Sequence, residues 1–380
     1  MTDSPARPMP YQVLARKYRP ATFSDLIGQP ALVRTLTNAI QSERVAHAYI
    51  LTGVRGVGKT TTARIIARAL NCIGPDGSGG PTPTPCGQCA NCVAIAEDRH
   101  VDVIEMDAAS QTGVDDVREL IESVSYRPVQ ARKKVYIIDE VHMLSKAAFN
   151  ALLKTLEEPP QHVVFIFATT EIRRVPVTVL SRCQRFDLRR VEQDVLVRHY
   201  AQIAAAEGIE APPEALAMIA RAADGSVRDG LSLLDQAIAL GGGRIDPAQV
   251  RDMLGLADRG RIFDLFEALI RGQAAPALAV FADLGDAGAD PAVVVQDLLD
   301  LTHFLTRAKL VPAVLDAPDV PEAERTRGGA LVAGLSVPAL TRVWQILLKG
   351  LGEVQNAPDR RAAAEMVLIR LAYASTLPTP

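Results

Sequence analysis

The 380-residue chain contains no run of 18 apolar residues, so no segment reads as a membrane-spanning helix. Its opening, MTDSPARPMP, lacks the apolar core of a secretory signal, and the expectation is a cytoplasmic protein with no membrane partner. Aromatic residues are scarce at 4%, while hydrophobic residues reach 48% with many Ala and Leu, a composition that favours folded, helix-rich cores. Charge of one sign is also lacking. The formal net charge of −3 argues against a generally basic, DNA-coating protein but leaves room for a local basic channel. The length exceeds one ordinary core, and at roughly 150 residues per domain it implies two or three domains.

Cysteine is the last scarcity, and its placement is uneven: Cys72, Cys86, Cys89 and Cys92 cluster, while Cys183 stands alone. In a reducing compartment, the pattern Cys-x13-Cys-x2-Cys-x2-Cys reads better as four thiolate ligands of a tetrahedral Zn²⁺ than as two disulfides. An iron–sulfur cluster or free thiols are the alternatives. Four thiolates leave no open coordination position, so the site is expected to be structural. The interval IGPDGSGGPTPTP (73–85) is rich in Gly and Pro and reads as a loop. Cys183 reads as a small buried hydrophobe.

What the chain does have is a phosphate-binding pattern. Residues 53–60, GVRGVGKT, fit Gly-x-x-x-x-Gly-Lys-[Ser/Thr], a spacing that folds the loop back so that its N–H groups cradle phosphates at a helix N-terminus. Gly53, Gly56 and Gly58 permit close backbone approach, and Val54, Arg55 and Val57 complete the cradle, with Thr61 following. Lys59 is placed to reach the β- and γ-phosphates and the Thr60 hydroxyl to ligate Mg²⁺. The flanks agree: AYILTG (48–53) reads as a buried strand and TTARIIARALN (61–71) as a helix.

A second apolar run, VYIIDE (135–140), delivers Asp139 and Glu140 to a strand's C-terminal edge, where open α/β sheets bind ligands. Asp139 is the second Mg²⁺ candidate. Glu140 is placed to orient or deprotonate an attacking water. Together the two motifs imply binding and hydrolysis of a nucleoside triphosphate.

Strands expected near 48–53, 101–107, 133–139 and 162–169 alternate with helices near 59–71, 114–126 and 145–157, after an amphipathic helix at 31–42. Such alternation predicts a parallel sheet covered by helices, interrupted by the cysteine segment. Beyond about 190 the pattern is helical throughout, with breaks at Gly241–Gly243, Gly255, Pro291 and the Pro- and charge-rich stretch 312–329. The expected division is 1–191, 192–254 and 255–380. The ending STLPTP reads as the start of a linker, beyond which the natural chain is expected to continue.

Three further features accompany the P-loop domain. ATT (168–170) follows an apolar strand and places Thr169 or Thr170 near the γ-phosphate or the lytic water. SRC (181–183) puts Arg182 at an edge, and GSVRDGLSLLDQ (225–236) opens a helix with Arg228 in its first turn. A planar guanidinium neutralises developing phosphate charge, so both arginines are candidates for finger or sensor roles. Lys154 is a candidate phosphate contact for DNA, or a solvated helix lysine.

In combination, YQVLARKYRPATFSDLIGQ (11–29), GVRGVGKT, the cysteine quartet, VYIIDEVHMLSKAAFNALLKTLEEPP (135–160), ATT, VPVTVLSRCQRF (175–186) and GSVRDGLSLLDQAIA resemble the gamma/tau family of bacterial DNA polymerase III clamp-loader subunits. The resemblance rests on specific motifs over 11–254 and only on length and helical character over 255–380. It implies an AAA+ module with an inserted zinc module at 72–92, a helical lid, and a helical collar through which five subunits assemble. ATP binding would let that assembly open the ring-shaped sliding clamp and grip primer–template DNA, and hydrolysis would release the loaded clamp. An extension past residue 380 would reach DNA polymerase III itself.

Carried over by motif, the resemblance makes Lys59 and Thr60 the phosphate and Mg²⁺ residues, Asp139 and Glu140 the acid pair, and Thr169 or Thr170 the first sensor. Arg228 becomes the lid sensor of its own subunit and Arg182 the finger for a neighbour's site. Ala15, Arg19, Pro20 and Ile27 fall where the family encloses adenine and ribose. The loop before the Cys86–Cys89 pair is longer than the family's usual spacing, which puts the position of Cys72 in question. Two other readings are available. A branch-migration motor of the AAA+ class is opposed by the cysteine quartet and SRC. An ATP-binding scaffold without turnover is opposed by the complete set Lys59, Thr60, Asp139 and Glu140.

Overall fold

Runs of β-branched and aromatic residues become five strands: β1 (Ala48–Thr52), β2 (Val103–Asp107), β3 (Lys134–Asp139), β4 (Val163–Thr169) and β5 (Gln184–Asp187). They pair in parallel in the order β2-β3-β4-β1-β5. The computed structural model describes residues 11–110, 114–254, 259–316 and 322–376. The opening MTDSPARPMP, the expected break at Gly255 and the end of the STLPTP segment lie outside the described residues.

Seventeen α-helices accompany the sheet among the described residues. In the first half of the chain these are α1 (Leu14–Lys17), α2 (Pro30–Gln41), α3 (Lys59–Asn71), α4 (Ala90–Ala96), α5 (Val114–Val124), α6 (Lys146–Glu157) and α7 (Val177–Leu180). Side chains alternate across the strands as their period requires. Tyr49, Leu51, Val135, Ile137, Val164 and Ile166 form one core with residues of α2 and α3. Ile50, Tyr136, Ile138, Phe165 and Phe167 form another with α5 and α6. Both faces of the sheet are therefore covered, and its strands are buried in the manner of parallel sheets.

Three further helices complete the first compact unit: α8 (Gln193–Ala206), α9 (Pro213–Ala222) and α10 (Val227–Gly241). That unit spans Met1–Ile245 and the second Asp246–Pro380. The second unit holds α11 (Pro247–Met253), α12 (Arg259–Ile270), α13 (Ala274–Asp286), α14 (Pro291–Leu310), α15 (Glu322–Gly334), α16 (Val337–Asn356) and α17 (Arg360–Thr376). Side-chain caps from Asp246, Asp290 and Ser336, each followed by Pro in the first turn, start α11, α14 and α16. Its core gathers Phe263, Phe266, Leu298, Leu347 and Val367. Gly350 lets α16 and α17 approach closely: a Cβ there would lie 2.5 Å from Val367.

Three expectations need correction. The edge strand β5 was not anticipated, because QRFD is short and only Phe186 among its residues is buried. The stretch 312–329, expected as a break, is helical from Glu322 onward despite Gly328 and Gly329. Finally, α11 groups with the second unit, not with the lid helices that precede it.

Candidate nucleotide site and cysteine cluster

Strand register aligns the functional ends. Thr52 pairs with Thr169 and Asp107 with Asp139, so the carboxyl ends of β1 to β4 form one edge. The loop GVRGVGKT leaves β1 at this edge and feeds directly into α3, whose first residues are Lys59 and Thr60. Gly56 has φ of 77°, and a Cβ on it would lie 1.9 Å from Ser226 Oγ, so the loop passes flush against the start of α10. There the backbone N–H of Arg228 donates to the Gly56 carbonyl at 3.2 Å.

The loop forms the floor of a cleft of about 710 Å³. Arg55, Gly56, Val57, Gly58, Lys59, Thr60 and Thr61 line it, with Asp139, Glu140, Arg228 and the N-terminal residues Ala15, Arg19, Pro20 and Ile27. Lys59 is buried, and its Nζ donates to the carbonyls of Gly53 and Val54, each at 2.9 Å. Burial pulls its ammonium below the usual lysine value, opposed by the charges of Glu140 and Asp139. Arg19 is likewise lowered, by desolvation first and by the nearby Arg64 second, so this end of the cleft is rich in cations.

Thr60 Oγ1 donates to Asp139 Oδ2 at 2.5 Å, bringing the two expected Mg²⁺ ligands into contact. The other oxygen of Asp139 accepts from the Glu140 N–H at 2.9 Å. Glu140 itself adopts φ of 47°, a left-handed conformation uncommon outside glycine, which turns its side chain away from the strand direction. Its Oε2 accepts from Thr170 Oγ1 at 2.9 Å and from the Thr170 N–H at 3.3 Å. His142, whose side chain is almost wholly buried, closes the group. Its Nδ1 lies 3.3 Å from Glu140 Oε2 and 2.9 Å from Thr169 Oγ1. Thr169 and Thr170 thus hold opposite ends of one polar network around Glu140.

Arg182 lies outside this cleft. Its guanidinium donates to the Thr178 carbonyl at 2.6 Å and pairs with Glu157 at 2.6 Å. Lys154 is exposed on the last turn of α6. Cys183 packs against the core beneath α6, and burial pushes its thiol up to about 12. Sequence reasoning missed His142, Asp107 and His199, of which the last two line the cleft. His142 carried a signal, standing two positions past the acid pair; Asp107 carried none, because only strand register brings it beside Asp139.

At the opposite end of α3, the sulfurs of Cys72, Cys86, Cys89 and Cys92 all lie within 4.8 Å of one another. The long 73–85 loop therefore does not displace Cys72. Backbone N–H groups point at the sulfurs, from Cys86 to Cys72 at 3.3 Å, from Cys89 to Cys86 at 3.3 Å and from Cys92 to Cys89 at 3.4 Å. Amides of Gln88 and Cys89 lower the Cys86 thiol to about 6, while burial raises Cys92 to about 12. Four soft ligands at this spacing fit Zn²⁺. So does a buried cation: Arg68, only 7% exposed, has an Nε without a hydrogen-bond partner, and its guanidinium lies against the Cys86–Cys89 turn at Gly87. A zinc tetrathiolate carries net negative charge, which would compensate it.

The cluster is tied to the sheet through polar side chains. The Asn71 amide donates to the Lys133 carbonyl at 2.9 Å and accepts from the Lys133 N–H at 2.9 Å. Asn91 donates to the Asn71 carbonyl and meets His100, and Arg132 donates to the carbonyl of Cys72 at 2.8 Å. Asp102, buried below, accepts from the N–H groups of Val129, Gln130 and Ala131 at 2.7 to 2.8 Å.

A parallel sheet with a phosphate loop at the end of β1, an acid pair at the end of β3 and helices α8 to α10 reaching back to the loop define a P-loop module of AAA+ type with a helical lid. Family profiles match along the chain: "DNA polymerase III, delta subunit" over residues 28–192, "DNA polymerase III clamp loader subunit, ATPase lid domain" over 195–243, and "DNA polymerase III subunits gamma and tau domain III" over 245–380. DNA polymerase III subunit tau of Escherichia coli is 44% identical over 98% of this chain and 57% of its own length. Subunit gamma of Buchnera aphidicola from Acyrthosiphon pisum is 38% identical over 96% of this chain and 99% of its own. The chain belongs to the DNA polymerase III gamma/tau family. It spans 57% of the Escherichia coli tau subunit and 51% of the Haemophilus influenzae tau/gamma subunit. Among solved structures, the Thermotoga maritima RuvB Holliday junction branch migration motor superposes with a TM-score of 0.47 at 19% identity, covering 67% of this chain and 79% of its own.

Proposed function

We propose that the chain binds and hydrolyses ATP as a subunit of a DNA polymerase III clamp loader. Within an assembly of five subunits it would help open the sliding clamp on primer–template DNA and release it after hydrolysis. The observation that carries this reading is the convergence of phosphate loop, acid pair and lid arginine on one cleft in a chain of gamma/tau sequence. No single helix among the described residues is long and apolar enough to cross a membrane.

The roles follow from charge and reach. Lys59 and the loop N–H groups hold the β- and γ-phosphates, and Arg228 approaches them from the lid. Thr60 and Asp139 would hold Mg²⁺, which would supply charge neutralisation on the phosphates. Glu140 takes the proton of the attacking water, its carboxylate held by Thr170 and His142 so that little reorganisation is needed. Thr169 or Thr170 responds to the γ-phosphate, while Ala15, Arg19, Pro20 and Ile27 enclose adenine and ribose. Arg182, outside its own cleft, serves the site of a neighbouring subunit. Cys72, Cys86, Cys89 and Cys92 would hold Zn²⁺ in a structural role.

The test is phosphate release by the assembled loader with and without clamp and primed DNA. Stimulation by both together supports the reading. An assembly that binds ATP through this chain but never turns it over there would instead make the chain a scaffold.

A further inference from the structure

The N-terminal segment that walls the cleft is attached to the lid, not to the sheet. Tyr11 donates its hydroxyl to Asp235 on α10, and the Leu14 N–H donates to the same carboxylate at 3.3 Å. Tyr18 donates to Glu207, just past the end of α8, and Lys17 pairs with that carboxylate at 2.6 Å. Apart from the Arg19 N–H, which donates to the Arg16 carbonyl at 3.4 Å, the described hydrogen bonds of residues 11–18 outside their own segment end on Asp235 or Glu207. Leu14 is buried beside them. A few residues later the chain joins the sheet: Phe23 enters the core on the α3 face, and Gln29 exchanges hydrogen bonds with the backbone of Arg189. Residues 18–22 therefore cross between two bodies.

Helix α10 carries the matching stripe. Arg228, Leu231 and Asp235 stand at i, i+3 and i+7, on one helix face. Arg228 and Leu231 line the cleft, and Asp235 holds the segment whose Ala15, Arg19 and Pro20 form its far wall. One helix thus carries both a guanidinium that lines the cleft beside the phosphate loop and the anchor of the opposite wall.

We infer that Asp235 and Glu207 are positioning residues that set the base-binding wall through the lid, so that recognition of the purine and placement of Arg228 are one event. The inference rests on the ATP reading above. A base seated against residues 15–20 pulls on α10 through Asp235, and a lid displaced from the phosphate loop carries the wall away with it.

The experiment compares the binding of ATP with that of inorganic tripolyphosphate, each with Mg²⁺, to the full chain by calorimetry. Tripolyphosphate engages the phosphate loop, Lys59 and Arg228 but has no base to meet the wall formed by residues 15–20. Asp235→Ala and Glu207→Ala are expected to weaken ATP on the order of tenfold, the loss of a charge-assisted hydrogen bond, and to leave tripolyphosphate unchanged. Tyr11→Phe guards against misfolding, because Tyr11 is 77% exposed; it should lower the ratio of ATP to tripolyphosphate affinity several-fold. An equal loss for both ligands, or an unaltered ratio in Tyr11→Phe, overturns the inference. Failure of the unmutated chain to prefer ATP over tripolyphosphate would strike the ATP reading itself.

Discussion

Helix α3 carries a different kind of site at each end. At its N-terminus, Lys59 and Thr60 meet a loop shaped by backbone and sheet, with Asp139 in direct contact at 2.5 Å. At its C-terminus, Cys72 leads into an irregular segment whose four sulfurs converge without a surrounding apolar core beyond Ile73. The first site is organised by the fold, which holds its side chains ready for the hydrolysis proposed above. On the zinc reading, the second would take its order from the metal, because a short Gly/Pro-rich segment buries too little to fix itself. Two sites on one helix can thus fail in opposite ways.

The largest expected effect tests whether the phosphate end is complete within one chain. In the assembled loader, Arg182→Ala should lower stimulated hydrolysis on the order of a thousandfold or more while leaving ATP binding by the isolated chain nearly unchanged. Mixing that variant with Lys59→Ala chains should restore some activity, since an intact pocket can then face an intact arginine. No rescue at any ratio, with assembly verified, would put Arg182 outside a shared site.

Next come the two halves of the pocket. Glu140→Gln should cut turnover by about a hundredfold or more yet keep ATP affinity, whereas Lys59→Ala should weaken ATP binding itself. Both should retain zinc, which measures the independence of the far end. Equal losses of nucleotide affinity in the two variants would contradict the separate roles.

At the far end, Cys89→Ser should release the metal and raise hydrogen exchange across 72–95, with ATP affinity changed by less than about twofold. Native mass spectrometry that finds no zinc in the unmutated protein would end this half of the comparison. A milder variant, Arg68→Met, should speed metal loss to a chelator by about tenfold, in line with the roughly 10- to 100-fold affinity cost of losing an outer-shell partner in metal sites. An unaltered rate would mean that Arg68 does not neutralise the cluster.

The smallest effect is a pH dependence below the cluster. Burial pushes the Asp102 carboxyl up, but the amides of Ala131, Gln130 and Val129 outweigh it and hold the group below its ordinary value. A depressed carboxyl stabilises the folded state fully above its unfolded value of about 3.9 and loses that contribution as pH falls through the lower folded value. NMR of the three amides should therefore stay flat from neutral pH to about 5 and move only in stronger acid. A transition near pH 6 would exclude Asp102 as its origin.

Much of this was legible in the sequence, because the strands β1, β3 and β4 are uninterrupted apolar runs and the P-loop has a fixed spacing. The edge strand β5 was not, since an edge strand needs only one buried face and QRFD offers one buried residue. Helix α15 was hidden by Gly328 and Gly329, tolerated where Phe304 packs 3.1 Å from the space a Cβ would take. In the site, residues within a motif were readable, whereas those delivered by tertiary pairing were not. Asp107 reaches the cleft by register with β3, and Asp235 meets Leu14 from more than two hundred residues away.

The paired hydrogen bonds between Asn71 and Lys133 have a geometric consequence. Helix α3 rises about 17 Å from Thr60 to Asn71, and strand β3 with its lead-in covers about 20 Å from Lys133 to Asp139. The two are joined at both extremities, by Thr60 with Asp139 at one and Asn71 with Lys133 at the other. Such a figure is a braced frame. Neither member can slide along the other without breaking a joint, so the spacing between the Thr60 hydroxyl and its partner carboxylate is gauged at the end remote from it. The cysteine module, fastened to that remote joint through Asn91 and Arg132, then serves as the bolt of the frame.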